Sequence, residues 1–171
     1  MHESPEDIAR LQALLDDSYG HAGAHLASIH TPEARLTADD LVAALQGMQI
    51  FVVATTTQDG APRTGPVDSF LYRGEVRFGT SAGAVRARHL ARSPAVSATH
   101  VRGEALVVTA HGTARLLDLD GADSDFRGFL QGHYGGTYDQ FLAGSPYYGI
   151  QATWLFAADM SVHTQGSGDG G

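Results

Sequence analysis

The sequence predicts an α+β protein, mainly β, in which helices precede an antiparallel barrel. Hydrophobic spacing is helical over 5–19 and again from Thr37 to Leu45, and turns to β-branched and apolar runs from Gln49 onward. Tight-turn signals at Gln58-Asp59-Gly60, Arg73-Gly74 and Arg102-Gly103 separate those runs. Five or six antiparallel strands joined in this way favour a closed or partly closed barrel, because closure removes exposed strand edges.

Each element has its own justification. Ser4 can cap a helix over 5–19, with Pro5 in its first turn and Glu6 and Asp7 at the positive end of its dipole. Ile8, Leu11, Leu14 and Leu15 make its apolar face. Residues 20–35 fit either a short helix or a loop. Thr37 and Asp40 form a capping-box-like start to a second helix, whose inner face is Leu41, Val42 and Leu45. Strands are expected over 50–57, 61–72 and 75–80, then a helix within 81–94 that stops before Pro94. Residues 95–101 and 105–119 form another hairpin. A helical stretch over 122–142 is interrupted by Gly132, Gly135 and Gly136, and 147–162 is the last strand, with Trp154 and Phe156 on one face. The expected organisation is a helical extension (1–46), a barrel domain (47–163) and a disordered tail (164–171).

Composition narrows the function. The chain is 43% hydrophobic and only 18% charged, which suits a packed core rather than disorder. Its formal net charge is −8 and all 11 basic residues are Arg, with no basic stripe to neutralise a nucleic-acid backbone. The absence of Cys excludes disulfides, thiolate nucleophiles and Cys-based zinc sites. The N-terminus MHESPEDIARLQ lacks a signal-peptide core, and no segment approaches the ~20 apolar residues of a membrane helix, so a cytoplasmic location is expected.

The stretch most informative about chemistry runs from Arg77 to Leu90. A strand ends in Gly79-Thr80-Ser81 and a helix begins within a few residues. Backbone N–H groups and the positive end of the helix dipole gather at such a junction and favour an anion. Thr80 and Ser81 add hydroxyls, while Arg86, Arg88, His89 and Arg92 form a basic cluster that is anomalous in so acidic a chain. Arginine grips phosphate through two N–H groups at once. A surface helix with solvated arginines is the competing reading.

Residues 51–67 (FVVATTTQDGAPRTGPV), 76–101 (VRFGTSAGAVRARHLARSPAVSATHV) and 107–117 (VVTAHGTARLL) resemble the pyridoxamine 5′-phosphate oxidase-like family of flavin-binding split barrels. The resemblance implies a six-stranded antiparallel split β-barrel with flanking helices. It also implies a homodimer holding FMN, or the deazaflavin coenzyme F420, at its interface. Arg63, Thr64, Gly65, Pro66 and Val67 would then line the isoalloxazine ring and help hold the phosphate. Gly79, Thr80 and Ser81 would contact the ribityl chain and phosphate, and Arg86, with His89 nearby in the basic cluster, would bind the phosphate. Trp154 would reach the partner's site. Departures accompany the likeness: position 86 is Arg where the family usually has Lys, no flavin-contacting Gln stands near Val107, and the C-terminal substrate-phosphate arginines are missing. The expectation is therefore an FMN- or F420-dependent oxidoreductase acting on a small organic substrate other than pyridoxamine phosphate. The alternative is a non-catalytic flavin- or haem-binding module. No residue is singled out as catalytic.

Other constellations carry less. His21, His25 and His30 could share a metal, but zinc needs three or four converging ligands and no HExxH pattern is present, so no metal is expected. His163 could serve as a haem ligand. His100 and His111 are either ordinary strand residues or neighbours of the cofactor ring. Residues 28–35 fit a lid supplying His30 and Arg35, or a capped loop. Tyr134, Tyr138, Tyr147 and Tyr148 fit an interface or a pocket lining.

Overall fold

The computed structural model describes residues 2–29 and 31–161. The expected tail, His163 and His30 lie outside the described residues. Helix α1 (Pro5–Gly20) begins with a reciprocal capping box, in which Ser4 Oγ accepts from the Asp7 amide and the Asp7 carboxylate accepts from the Ser4 amide. A short α2 (Ala24–Ile29) and a 3₁₀ turn (Pro32–Ala34) lead to α3 (Ala38–Ala44), which carries the same device at Thr37 and Asp40. Six strands follow: β1 (Gln49–Thr56), β2 (Pro62–Tyr72), β3 (Glu75–Gly79), β4 (Ala95–Arg102), β5 (Leu106–Leu116) and β6 (Tyr147–Asp159). Helix α4 (Val85–Arg92) separates β3 from β4, and α5 (Ser124–Tyr134) separates β5 from β6.

The strands close into an antiparallel barrel in the order β1-β2-β3-β6-β5-β4. Arg73 and Gly74 both take positive φ, as a two-residue turn matched to strand twist requires, and this makes the β2–β3 connection tight. A bulge between His111 and Gly112 lets the long β5–β6 ladder bend.

Alternation along the strands sends Phe51, Val53, Phe78, Val108 and Ala110 into the lumen, where they meet Leu11 and Leu15 of α1 and Leu41 of α3. The helical extension is thereby part of the main core. Ser18 in α1 accepts the Leu155 amide at 2.9 Å, and the Tyr19 hydroxyl lies 2.6 Å from the Ala157 carbonyl, so polar contacts fix α1 along β6.

A second, smaller core lies outside the barrel. Phe70 and Tyr72 of β2 pack with Phe126 and Leu130 of α5 and with Tyr138 and Tyr147. Here the structure differs from the single interrupted helix expected over 122–142. Helix α5 stops at Tyr134, Gly135 takes a φ of +57°, and the chain resumes as one π-helical turn, Tyr138–Leu142. The helix expected within 81–94 starts only at Val85, because Ser81–Ala84 close a turn through the Ala84 amide and the Ser81 carbonyl. The last strand ends at Asp159 rather than at 162.

Candidate cofactor site

Four segments distant in sequence meet at one end of β3. The outward face of β2 brings Pro66 and Asp68, and the end of β3 brings Gly79, Thr80 and Ser81. Helix α4 adds Arg86, and the α5–β6 excursion adds Tyr134, Leu142, Ser145 and Tyr147. Together with Val67 they enclose a cavity of about 340 Å³.

Arg86 is the cation of this cavity. It is half-buried, and its Nη2 donates to the Gly65 carbonyl at 2.9 Å. A methyl group on Gly65 would come within 2.6 Å of that nitrogen, so the missing side chain is what lets the guanidinium lie against β2. Burial pushes the Arg86 pKa below the usual arginine value, a sign that the cation lacks the solvation an anionic ligand would replace. Thr80 presents its hydroxyl while its amide is held by the Pro146 carbonyl at 3.1 Å. The N-cap of α4 is Ala84, which supplies no side-chain acceptor, so none of the first amides of the helix is capped by it.

The opposite wall is aromatic and uncharged. Burial raises the Tyr147 hydroxyl well above the usual phenol range, with Tyr134, Tyr138 and Asp68 adding to the effect. Tyr134 is raised as well, chiefly by burial and then by Asp68. Both phenols are therefore neutral donors across the physiological range. Gly79 lies under the Tyr147 ring, where a Cβ would sit 2.8 Å from Cε1. Asp68 is the exposed carboxylate of the cavity and faces the polar side of any ligand.

This wall is held by a charge network beneath it. Asp123, at the start of α5, accepts two hydrogen bonds from Arg115 (2.8 and 3.0 Å) and one from the Asp118 amide. Arg115 holds the Asp123 carboxyl below the usual aspartate range. Arg77 is buried between the rings of Tyr72 and Phe126, each 4.9 Å away, and its Nε donates to Glu75. Its Nη1 is 3.7 Å from Asp123, an ion-pair distance too long for a hydrogen bond.

The residues singled out in the sequence divide by place. Pro66, Val67, Gly79, Thr80, Ser81 and Arg86 all line the cavity, and Gly65 abuts it through Arg86. Arg63 and Thr64 are exposed on β2 outside the cavity, with Arg63 donating to the Pro62 carbonyl. His89 turns into the barrel wall instead, with Nδ1 3.0 Å from the Thr55 hydroxyl. Trp154 stacks on His111 on the outer sheet surface, ring centroids 4.9 Å apart, and does not line the cavity of its own chain. Arg35 lies over the Tyr19 ring, and none of the described residues of 28–35 lines the cavity. Among the tyrosines, Tyr134 and Tyr147 reach the cavity while Tyr138 and Tyr148 are core residues. Asp68, Leu142 and Ser145 were not read from the sequence. Asp68 could have been, since it follows Thr64 and Pro66 on the same strand face at period two.

A closed barrel of six antiparallel strands, with helices packed against it and a cavity at the end of β3, defines a split-barrel protein. The family model for pyridoxamine 5′-phosphate oxidase matches residues 37–155, and the chain belongs to that family. No curated protein is significantly similar in sequence. Among solved structures, a conserved hypothetical protein of Mycobacterium tuberculosis is similar with a TM-score of 0.64 at 19% identity, over 76% of this chain and 89% of that one. HutZ, the haem storage protein of Vibrio cholerae, is similar with a TM-score of 0.61 at 18% identity, over 71% of this chain and 93% of that one. An FAD-binding protein of Mesorhizobium loti has a TM-score of 0.57 at 17% identity, over 72% and 95%. At these identities the likeness is one of fold.

Proposed function

We propose that the protein is an oxidoreductase that binds FMN, or the deazaflavin F420, and passes a hydride to or from a small organic substrate. The observation that carries this reading is the half-buried Arg86 guanidinium, laid against Gly65 beside the hydroxyls of Thr80 and Ser81. That donor set fits a phosphate: a delocalised cation and two hydroxyls line one cavity. The FAD-binding protein of Mesorhizobium loti and the family match support a flavin-type ligand.

When bound, the flavin or deazaflavin ring supplies the hydride chemistry, and the protein supplies binding, orientation and exclusion of water. Arg86, Thr80 and Ser81 hold the phosphate in this reading. Asp68 accepts from the hydroxyls of the polyol chain, and Leu142 and Val67 keep the cavity dry. A cavity of about 340 Å³ is at the small end of ligand pockets and suits the phosphate and polyol better than the whole cofactor. Arg63, Thr64 and Pro66, exposed on β2, would lie beside the ring. Ile50 and Val52 of β1 and Val101 of β4 are exposed on adjacent strands, a pattern that marks an interface. A second copy of the chain covers it in this reading, and Trp154 reaches the neighbouring protomer's cofactor.

A second reading is haem binding, as in HutZ. It is favoured by His111, which is exposed and has its Nδ1 engaged by Ser97 at 2.8 Å, so that Nε2 is the nitrogen left to ligate iron. Equilibrium titration of the apoprotein with FMN, F420 and haemin separates the readings. Saturable binding of FMN or F420, abolished in Arg86→Glu with the fold retained by circular dichroism, supports the first. Haemin binding lost on His111→Ala, without binding of either flavin, replaces it with the second.

A further inference from the structure

A second cavity of about 440 Å³ lies at the opposite end of β3 from the cofactor site. It arises from unequal strands. β3 has 5 residues and β6 has 13, and their ladder ends at Val76 and Ile150. Beyond that pair the barrel wall opens between the β2–β3 turn and the continuing β6, and α1 lies across the gap. β5 and β6 contribute the small side chains of Ala110 and Ala152 to the wall behind the gap. Leu11 and Leu14 of α1, Leu41 of α3 and Leu45 just after α3 complete an apolar lining. Arg10, Leu11 and Leu14 precede the stretch that matches the family model, so α1 contributes to the cover from outside that stretch.

We propose that this cavity binds a neutral, apolar aromatic small molecule of up to three rings, at a site separate from the cofactor. Its size falls within the range of ligand pockets, and an apolar cavity stays dry and accepts apolar guests. Neutrality follows from the charges at the mouth, which are matched within the protein. Arg10 donates to Asp7 at 2.6 Å and to the Arg73 carbonyl at 3.0 Å. Glu75 is held by Arg77 at 3.1 Å and faces Arg115 at 3.7 Å. The remaining polar side chain at the mouth, Gln151, is uncharged, so a charged ligand would find no counter-ion that is not already engaged. The span of β3 puts roughly 13 Å of strand between this cavity and Gly79, taking ~3.3 Å per residue.

The test is a fluorescence titration of the full chain with N-phenyl-1-naphthylamine, a neutral apolar probe, with and without saturating FMN. Saturable binding that FMN leaves unchanged is expected. Ala152→Leu, which fills the cavity, is expected to weaken the probe at least tenfold while FMN affinity and the far-ultraviolet spectrum stay the same; Leu71→Phe at the mouth gives the same readout should Ala152→Leu not fold. The proposal is overturned by absence of saturable binding, by displacement of the probe with FMN, or by wild-type affinity in a folded variant. Failure of FMN to bind would count against the proposed function and leave the probe result to stand alone.

Discussion

Gly65 and Arg86, 21 residues apart, are joined by one hydrogen bond, and that bond is where the cofactor hypothesis is most exposed to test. Gly65→Ala should drive the guanidinium off β2 and weaken FMN binding by about tenfold to a hundredfold, the cost of one hydrogen bond to a charged group at ~1.5–3 kcal/mol. Flavin fluorescence titration reads this directly; unchanged affinity would remove Arg86 from the phosphate. Arg86 was legible because arginines bunched at a strand-to-helix junction stand out in an acidic chain. His89 was not, although it belongs to the same cluster. Which side of α4 meets the barrel depends on how the helix is laid against β1, and that contact with Thr55 spans 34 residues.

At the scale of elements, the cavity's aromatic wall is only as firm as the anchorage of α5. Asp123 is 7% exposed at its side chain and ties the helix start to Arg115, with Arg77 close behind. Asp123→Ala should cost about 2–3 kcal/mol in urea unfolding, somewhat less than breaking a wholly buried pair because Arg115 is partly exposed. The same variant should loosen FMN binding through Tyr134, Leu142 and Tyr147. The pH dependence has a definite sign. Arg115 depresses the folded-state pKa of Asp123, so its contribution is present above the unfolded value of ~3.9 and is lost as pH falls through the lower folded value. Acid unfolding of the wild type should therefore steepen below about pH 4, and Asp123→Asn should remove that part of the slope. The break at Gly135 and the π-helical turn were hidden because they answer to the outer core around Phe70 and Phe126, not to local propensity.

For the whole molecule, the exposed apolar residues of β1 and β4 lead to an expected association. Val52→Asp should convert a dimer to a monomer in light scattering and weaken FMN binding with it; a wild-type protein that is monomeric at micromolar concentration would contradict the dimer. Joining of the helical extension to the barrel has its own signature. Burial between α1 and β6 pushes the Tyr19 hydroxyl up to about 12. A raised value means stability fully present below the unfolded pKa of ~10 and lost as pH climbs toward 12. Thermal melts across that range should show the loss, and Tyr19→Phe should flatten it. Among the described residues no helix is long and apolar enough to cross a membrane.

Element order, the capping boxes at Ser4 and Thr37, the Arg73-Gly74 turn and the strand-to-helix junction at Gly79-Thr80-Ser81 were all determined by the sequence itself. Each depends on residues within a few positions of one another, where propensity, capping and turn geometry act directly. The tertiary structure alone decided that Leu142, Ser145 and Tyr147 line one cavity with Arg86, that Arg77 is buried between two rings, and that the β3–β6 ladder ends at Val76 and Ile150. Those outcomes rest on contacts between segments tens of residues apart, and such contacts are settled by closure of the barrel and packing of both its faces, which no local pattern encodes.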